Sequence, residues 1–249
     1  LDLKFLFLRM KFLFIICLFF CFINTSQSQD LVNVSDSLFI DSITKLNLNN
    51  KKSILFENKY NEAIDKFNLG KLNNAILLLD ECVKLDSTSA NSYFLLSKCY
   101  YNLDLKIEFL QNIKKALFID SINIFYISEI GNYYRSVRNN DSANFYYDLI
   151  IENFPNFSDV FYWKSLINIK NEDYSSALDN INKAINIEEK DYFFNERAGI
   201  YRKQTNFNKS LSDYKICIKL NNESSLYYNN IASLYKKIGI LDSSIYFYN

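Results

Sequence analysis

Apolar residues along most of this chain recur at helical spacing, and short polar breaks separate the runs. In "GNYYRSVRNNDSANFYYDLIIENFP", residues 131–155, Ala143, Tyr146, Tyr147, Ile150 and Ile151 fall on one face of a helix. Asn140 or Asp141 is placed to cap its start, since a short side-chain oxygen accepts a bond from an unpaired backbone N–H. Pro155 stops it, because proline cannot extend the backbone ladder. Upstream, the pattern predicts a helix over about 124–137, with "RNN" as the link. The stretch therefore reads as a helix–turn–helix hairpin.

The hairpin repeats. Shifted against itself so that Ser97 falls on Gly131, the chain also brings Ala63 and Ser165 into that column; one single-residue shortening near 188–191 then adds Ala198 and Ala232. Tyr100, Tyr134, Tyr201 and Tyr235 share a second column, broken at Asn168. Ala75, Phe109, Ala143, Ala177, Ser210 and Ser244 make a third, and Leu79, Ile113, Tyr147, Ile181, Tyr214 and Tyr248 a bulky fourth. Cys82, Ala116, Ile150, Ala184 and Cys217 form a fifth. Small columns mark where helix backbones approach closely, and bulky ones fill the space between them. One hairpin cannot bury its own apolar face, so the units must stack. The expected fold is all-α, a right-handed α–α superhelix of about six repeats, the last one truncated. The repeats span 56–89, 90–123, 124–157, 158–190, 191–224 and a partial 225–249, after a lead-in over 29–55.

These columns resemble the tetratricopeptide repeat (TPR) family. "YFLLSKCYY" (93–101), "ISEIGNYYR" (127–135), "FNERAGIYR" (194–202) and "YNNIASLYK" (228–236) are similar to its first helices. "NNAILLLDECVKLD" (73–86), "YSSALDNINKAINIE" (174–188) and "FNKSLSDYKICIKLN" (207–221) are similar to its second helices. The closing proline is replaced by Ser87, Ser121, Glu189 and Asn222 in other units, and Phe109 holds a place usually given to Ala, which loosens packing expectations there. The resemblance implies a non-catalytic interaction scaffold that binds a protein or peptide partner in a concave groove lined by first helices. By that analogy the groove takes Phe94, Lys98 and Tyr101, then Phe125, Asn132 and Arg135. Tyr162 and Lys170 follow, then Asn195, Arg202, Asn229 and Lys236. The cations among them favour an acidic partner, although Arg135, Lys170, Arg202 and Lys236 also stand near helix C-termini, where positive charge suits the dipole. The ordered Lys, Asn and Arg set that clamps two carboxylates in chaperone-binding members is not found.

Composition narrows the function further. Basic and acidic side chains balance at 28 each, which argues against a nucleic-acid partner. With no His, imidazole triads and most zinc sites are excluded. Gly70, Gly131, Gly199 and Gly239 stand too far apart for a phosphate loop, and Ser-x-x-Lys at Ser42, Ser212 and Ser233 lacks its partner motifs. No metal, cofactor or small-molecule substrate is expected. Cys82, Cys99 and Cys217 read as packing thiols, with a Cys82–Cys99 bridge as the oxidised alternative.

At the N-terminus, "MKFLFIICLFFCFINTSQSQD" has the layout of a secretory signal peptide, with cleavage expected between Ser28 and Gln29. That places the protein in the periplasm, at the cell surface or outside; the alternative is an uncleaved membrane anchor at 12–23. Residues 1–9 precede the only Met and read as an upstream extension. At the other end, "SSIYFYN" stops partway through a second helix, so Asn249 reads as a fragment boundary. A second functional reading follows: the repeats as the sensory or targeting region of a longer signalling protein or enzyme.

Overall fold

The computed structural model describes the backbone of residues 25–248, and side chains from residue 42 onward except those of residues 243, 245, 246 and 248. The apolar run at 12–23, on which the expected signal or anchor rests, lies outside the described residues. Every described element is a helix, and the chain divides into two compact units at Ser87 and Thr88.

The first unit holds α1 (Thr25–Asn68) and α2 (Leu72–Leu85). Helix α1 runs without a break from Thr25 through the residues expected as a lead-in. Ala63, Ala75, Leu79 and Cys82 are all completely buried, so the small residue of α1 and the stripe of α2 lie inside the pair. Lys59 forms an ion pair with Glu81, and the Cys82 thiol donates to the Phe56 carbonyl at 3.9 Å.

The second unit is five helix pairs: α3 (Ala90–Asn102) with α4 (Lys106–Ile119), α5 (Ile124–Ser136) with α6 (Asn140–Asn153), and α7 (Ser158–Lys170) with α8 (Tyr174–Ile187). Helices α9 (Asp191–Lys203) with α10 (Phe207–Leu220) and α11 (Ser225–Lys237) with α12 (Leu241–Tyr248) complete it. First helices begin at a constant interval, from Ala90 to Ile124 to Ser158 and again from Asp191 to Ser225, but the step from Ser158 to Asp191 is shorter by one. The short step comes from the link after α8, where only 188–190 separate the two helices, against 120–123 after α4 and 154–157 after α6.

Each first helix ends by one device. Asp104, Arg138, Glu172, Thr205 and Gly239 adopt φ of 59°, 62°, 60°, 60° and 84° at equivalent turn positions. The next N–H then reaches back to a carbonyl inside the helix, as in Leu105 to Tyr100 (2.9 Å), Asn139 to Tyr134 (2.9 Å) and Asn206 to Tyr201 (2.8 Å). The turn moves the cap of α6 one residue earlier than the sequence suggests. Asn139, not Asn140 or Asp141, is the cap, accepting from the Ser142 N–H at 3.1 Å. Asp173 caps α8 in the same way.

The small columns lie between the helices of each pair. Ser97, Ser165, Ala198 and Ala232 are completely buried, and both serines satisfy their hydroxyls on the carbonyl three residues back. Gly131 is the tightest point: a Cβ there would lie 2.7 Å from Cε1 of Tyr147. In the second column Ser210 and Ser244 donate across their pairs to the carbonyls of Ala198 and Ala232, each at 2.9 Å. Phe109, the oversized member, does not loosen its pair. It is completely buried, with its ring 5.3 Å from Tyr101 and 5.0 Å from Tyr133.

Candidate functional site

First helices of successive pairs are tied to each other by polar side chains near their N-terminal halves. Tyr126 of α5 donates to Asn91 of α3 (3.0 Å), and Lys98 of α3 pairs with Glu129 of α5 (2.8 Å). Tyr192 of α9 donates to Asp159 of α7 (2.5 Å), Tyr227 of α11 to Asp191 of α9 (2.8 Å), and Asn230 to Asn195 (2.8 Å). Burial and its bond to Asp159 push the Tyr192 phenol up to about 12. Lys190 meets both Asp159 and Glu188 at 2.8 Å. Burial opposes the Lys190 charge, yet these two bonds hold it above the ordinary lysine range. First helices thus carry a polar face that is cross-linked in two stretches, α3 with α5 and α7 with α9 and α11.

The residues expected to line a groove occupy this face in different states. Phe94 is half-buried, its ring 4.9 Å from that of Tyr126, while Lys98 is committed to Glu129. Tyr101 and Phe125 are 48% and 70% exposed and present large apolar surface to solvent. Tyr101 also borders a cavity of about 410 Å³ with Asp104, Lys106, Tyr133, Ser136 and Val137. Asn132 and Arg135 form one cluster with buried Tyr147. The Arg135 Nε donates to the Tyr147 hydroxyl (3.1 Å), and that hydroxyl donates to Asn132 Oδ1 (2.9 Å). Burial is the main reason the Tyr147 phenol is pushed up to about 12, so it remains a donor across the physiological range. Tyr162 is half-buried, 5.2 Å from the Tyr192 ring and 5.4 Å from that of Phe193. Arg202 is half-buried, Lys170, Asn229 and Lys236 are exposed, and Asn195 is engaged by Asn230.

Other residues that shape this face carry no signal in any one repeat. Arg197 holds Asp213 of α10 by two bonds of 2.8 Å and Asn182 by a third. Asp213 is only 4% exposed, so this is a buried pair with its charge matched. Glu196, between Asn195 and Arg197, is half-buried and makes no hydrogen bond or ion pair with any described residue. Burial pushes its carboxyl above the ordinary carboxylate range.

Stacked pairs of antiparallel helices, a repeat interval with one shortened step and small residues at the contacts set the architecture, and solved structures share it. The structure resembles PilF of Pseudomonas aeruginosa, with 14% identity, 79% of this chain and 90% of that one covered, and a TM-score of 0.66. A tetratricopeptide repeat protein from Parabacteroides merdae matches with 18% identity, 78% and 77% coverage and a TM-score of 0.64. The chain has the TPR fold. YrrB, described as a TPR protein with an unusual peptide-binding site, also matches, with 18% identity, 68% and 88% coverage and a TM-score of 0.52. No family model matches the sequence, and no curated protein matches it. TPR structures at these identities establish the fold, while the chemistry of the site rests on this chain's own residues.

Among the described residues, no group of three or more His, Cys, Asp or Glu could hold a metal ion, and no helix is long and apolar enough to cross a membrane. The three cysteines at 82, 99 and 217 are buried thiols, and burial pushes Cys99 up to about 11 and Cys217 up to about 12. Thiols held that far from ionisation are poor nucleophiles.

Proposed function

We propose that this TPR array is a non-catalytic scaffold that binds a protein or peptide partner along the face formed by its first helices, the concave groove expected of such arrays. The observation that carries this reading is the cross-linked face itself. Asn91, Lys98, Asp159 and Asn195 are spent on ties between consecutive first helices, which holds in place the helices that carry Tyr101, Phe125, Asn132, Arg135 and Tyr162. A surface ordered in advance loses less conformational entropy on binding, and its aromatic and arginine side chains are of the kind that anchor interfaces. Arg135, Lys170, Arg202 and Lys236 all stand in last turns of first helices and add positive charge at one end of the face, which suits acidic side chains of the partner. The peptide-binding site of YrrB supports the same use of this fold. The signal-like run at 12–23 supports export.

Replacing Arg135, Tyr162 and Arg202 together by Ala tests the assignment. Peptides selected on the full chain from a random display library are expected to lose at least about tenfold in affinity, with the helical circular dichroism unchanged. Undiminished binding by this variant would contradict the placement of the site on first helices.

A further inference from the structure

One carboxylate of the first-helix face stands without the partner that its equivalent has. Glu129 and Glu196 occupy the same position of their repeats, two units apart with the short step included. Glu129 is neutralised by Lys98 of the preceding first helix, at 2.8 Å. The residue of the preceding first helix that corresponds to Lys98 is, for Glu196, Leu166. Among the described residues Glu196 consequently has no ion-pair partner, and burial raises its carboxyl. The nearest cation along its helix, Arg197, is committed to Asp213.

The surroundings of Glu196 have room and an aromatic wall. Burial raises the Tyr162 and Tyr214 phenols; the charge of Glu196 reaches both and adds to the rise, while Arg135 at Tyr162 and Arg202 at Tyr214 oppose it. One turn along α9, Gly199 occupies the position held by Asn132 in α5. Its backbone is ordinary helix, and a Cβ there would meet nothing within 4 Å. A glycine inside a helix costs about 0.5–1 kcal/mol relative to alanine, and neither a positive φ nor close packing calls for it here. What the missing side chain does leave is open space beside Glu196, through which a peptide main chain can approach the helix.

We propose that Glu196, Tyr162 and Gly199 form a side-chain subsite that takes the ammonium or guanidinium of a lysine or arginine on the bound peptide. The cation ends on the Glu196 carboxylate, as Lys98 ends on Glu129. Its stem or guanidinium lies against the Tyr162 ring, and the peptide main chain passes over Gly199. This rests on the groove reading above and adds a basic residue to what the partner must carry, beside any acidic residue that meets the cations of the last turns.

The test is peptide selection from a random display library on the full chain, in wild type, Glu196→Gln and Leu166→Lys, each variant checked by thermal melt. In wild type, the enriched peptides should share a Lys or Arg at one aligned position, and replacing it by norleucine in a synthetic copy should weaken binding about tenfold or more. In Glu196→Gln that replacement should make less than about a twofold difference. Leu166→Lys supplies the internal cation and should abolish the preference too, through a change on another helix. A basic preference that survives in both variants overturns the subsite while leaving the groove reading intact. If the wild type enriches no peptide, the groove reading fails and the subsite with it.

Discussion

Single residues of this chain carry costs that the fold does not require, and two are measurable. Thr205 adopts φ 60° at a turn position where the equivalent in the last pair is Gly239. A β-branched residue in the left-handed region is strained, by roughly 1–2 kcal/mol. Thr205→Gly should stabilise the chain by about 0.5–1 kcal/mol after the entropy of glycine is counted, read as a higher denaturant midpoint. Glu196 is the second. Its raised carboxyl means that the folded state holds the proton more tightly than the unfolded one. Stability from this group is therefore fully present below the ordinary carboxylate pKa and is lost as pH rises through the raised value. Glu196→Gln should be more stable than wild type at neutral pH, and the difference should close on acidification; paired urea melts from mildly acidic to neutral pH would show it. Neither position announces itself in sequence. Within their own repeats Glu129 and Glu196 look alike; the packing of α3 on α5 shows Glu129 paired with Lys98, and Leu166 stands where Glu196 would find such a partner.

At the scale of the element, the alternation of apolar and polar positions and the small columns were legible because they follow directly from helix geometry. The helical turn sets the stripe, and close backbone approach admits only Gly, Ala or Ser. Gly131 shows how tight this is. Gly131→Ala gains about 1 kcal/mol of helix propensity, but its Cβ meets a Tyr147 ring that is buried and held by Asn132 and Arg135. The expected net change is a loss of about 1–2 kcal/mol in chemical denaturation, with α5 and α6 loosened first in hydrogen exchange. What the sequence left hidden is how an oversized residue is accommodated. Phe109 breaks the small column, yet Tyr101 and Tyr133 enclose its ring, and no period in the sequence shows that compensation. The cap of α6 was likewise off by one, because the left-handed residue at Arg138 ends α5 before the polar run is over.

For the molecule as a whole, the repeat period made the TPR fold readable, down to the one shortened step between Ser158 and Asp191. The candidate face was readable only as a set of positions. Which of its members are spent on holding first helices together, and which remain for a partner, depends on contacts between residues a whole repeat apart in sequence. Lys98 and Asn195 belong to the first group, Tyr101, Phe125, Arg202 and Lys236 to the second. The chemistry of the face therefore alternates along the array, with paired charges on α3 and α5 and an unpaired carboxylate on α9. The most direct test is the crystal structure of the full chain with its tightest selected peptide. The account predicts an extended peptide on the face of α5, α7 and α9, with a basic side chain at Glu196. A peptide seated on the second helices α6, α8 or α10 would contradict it.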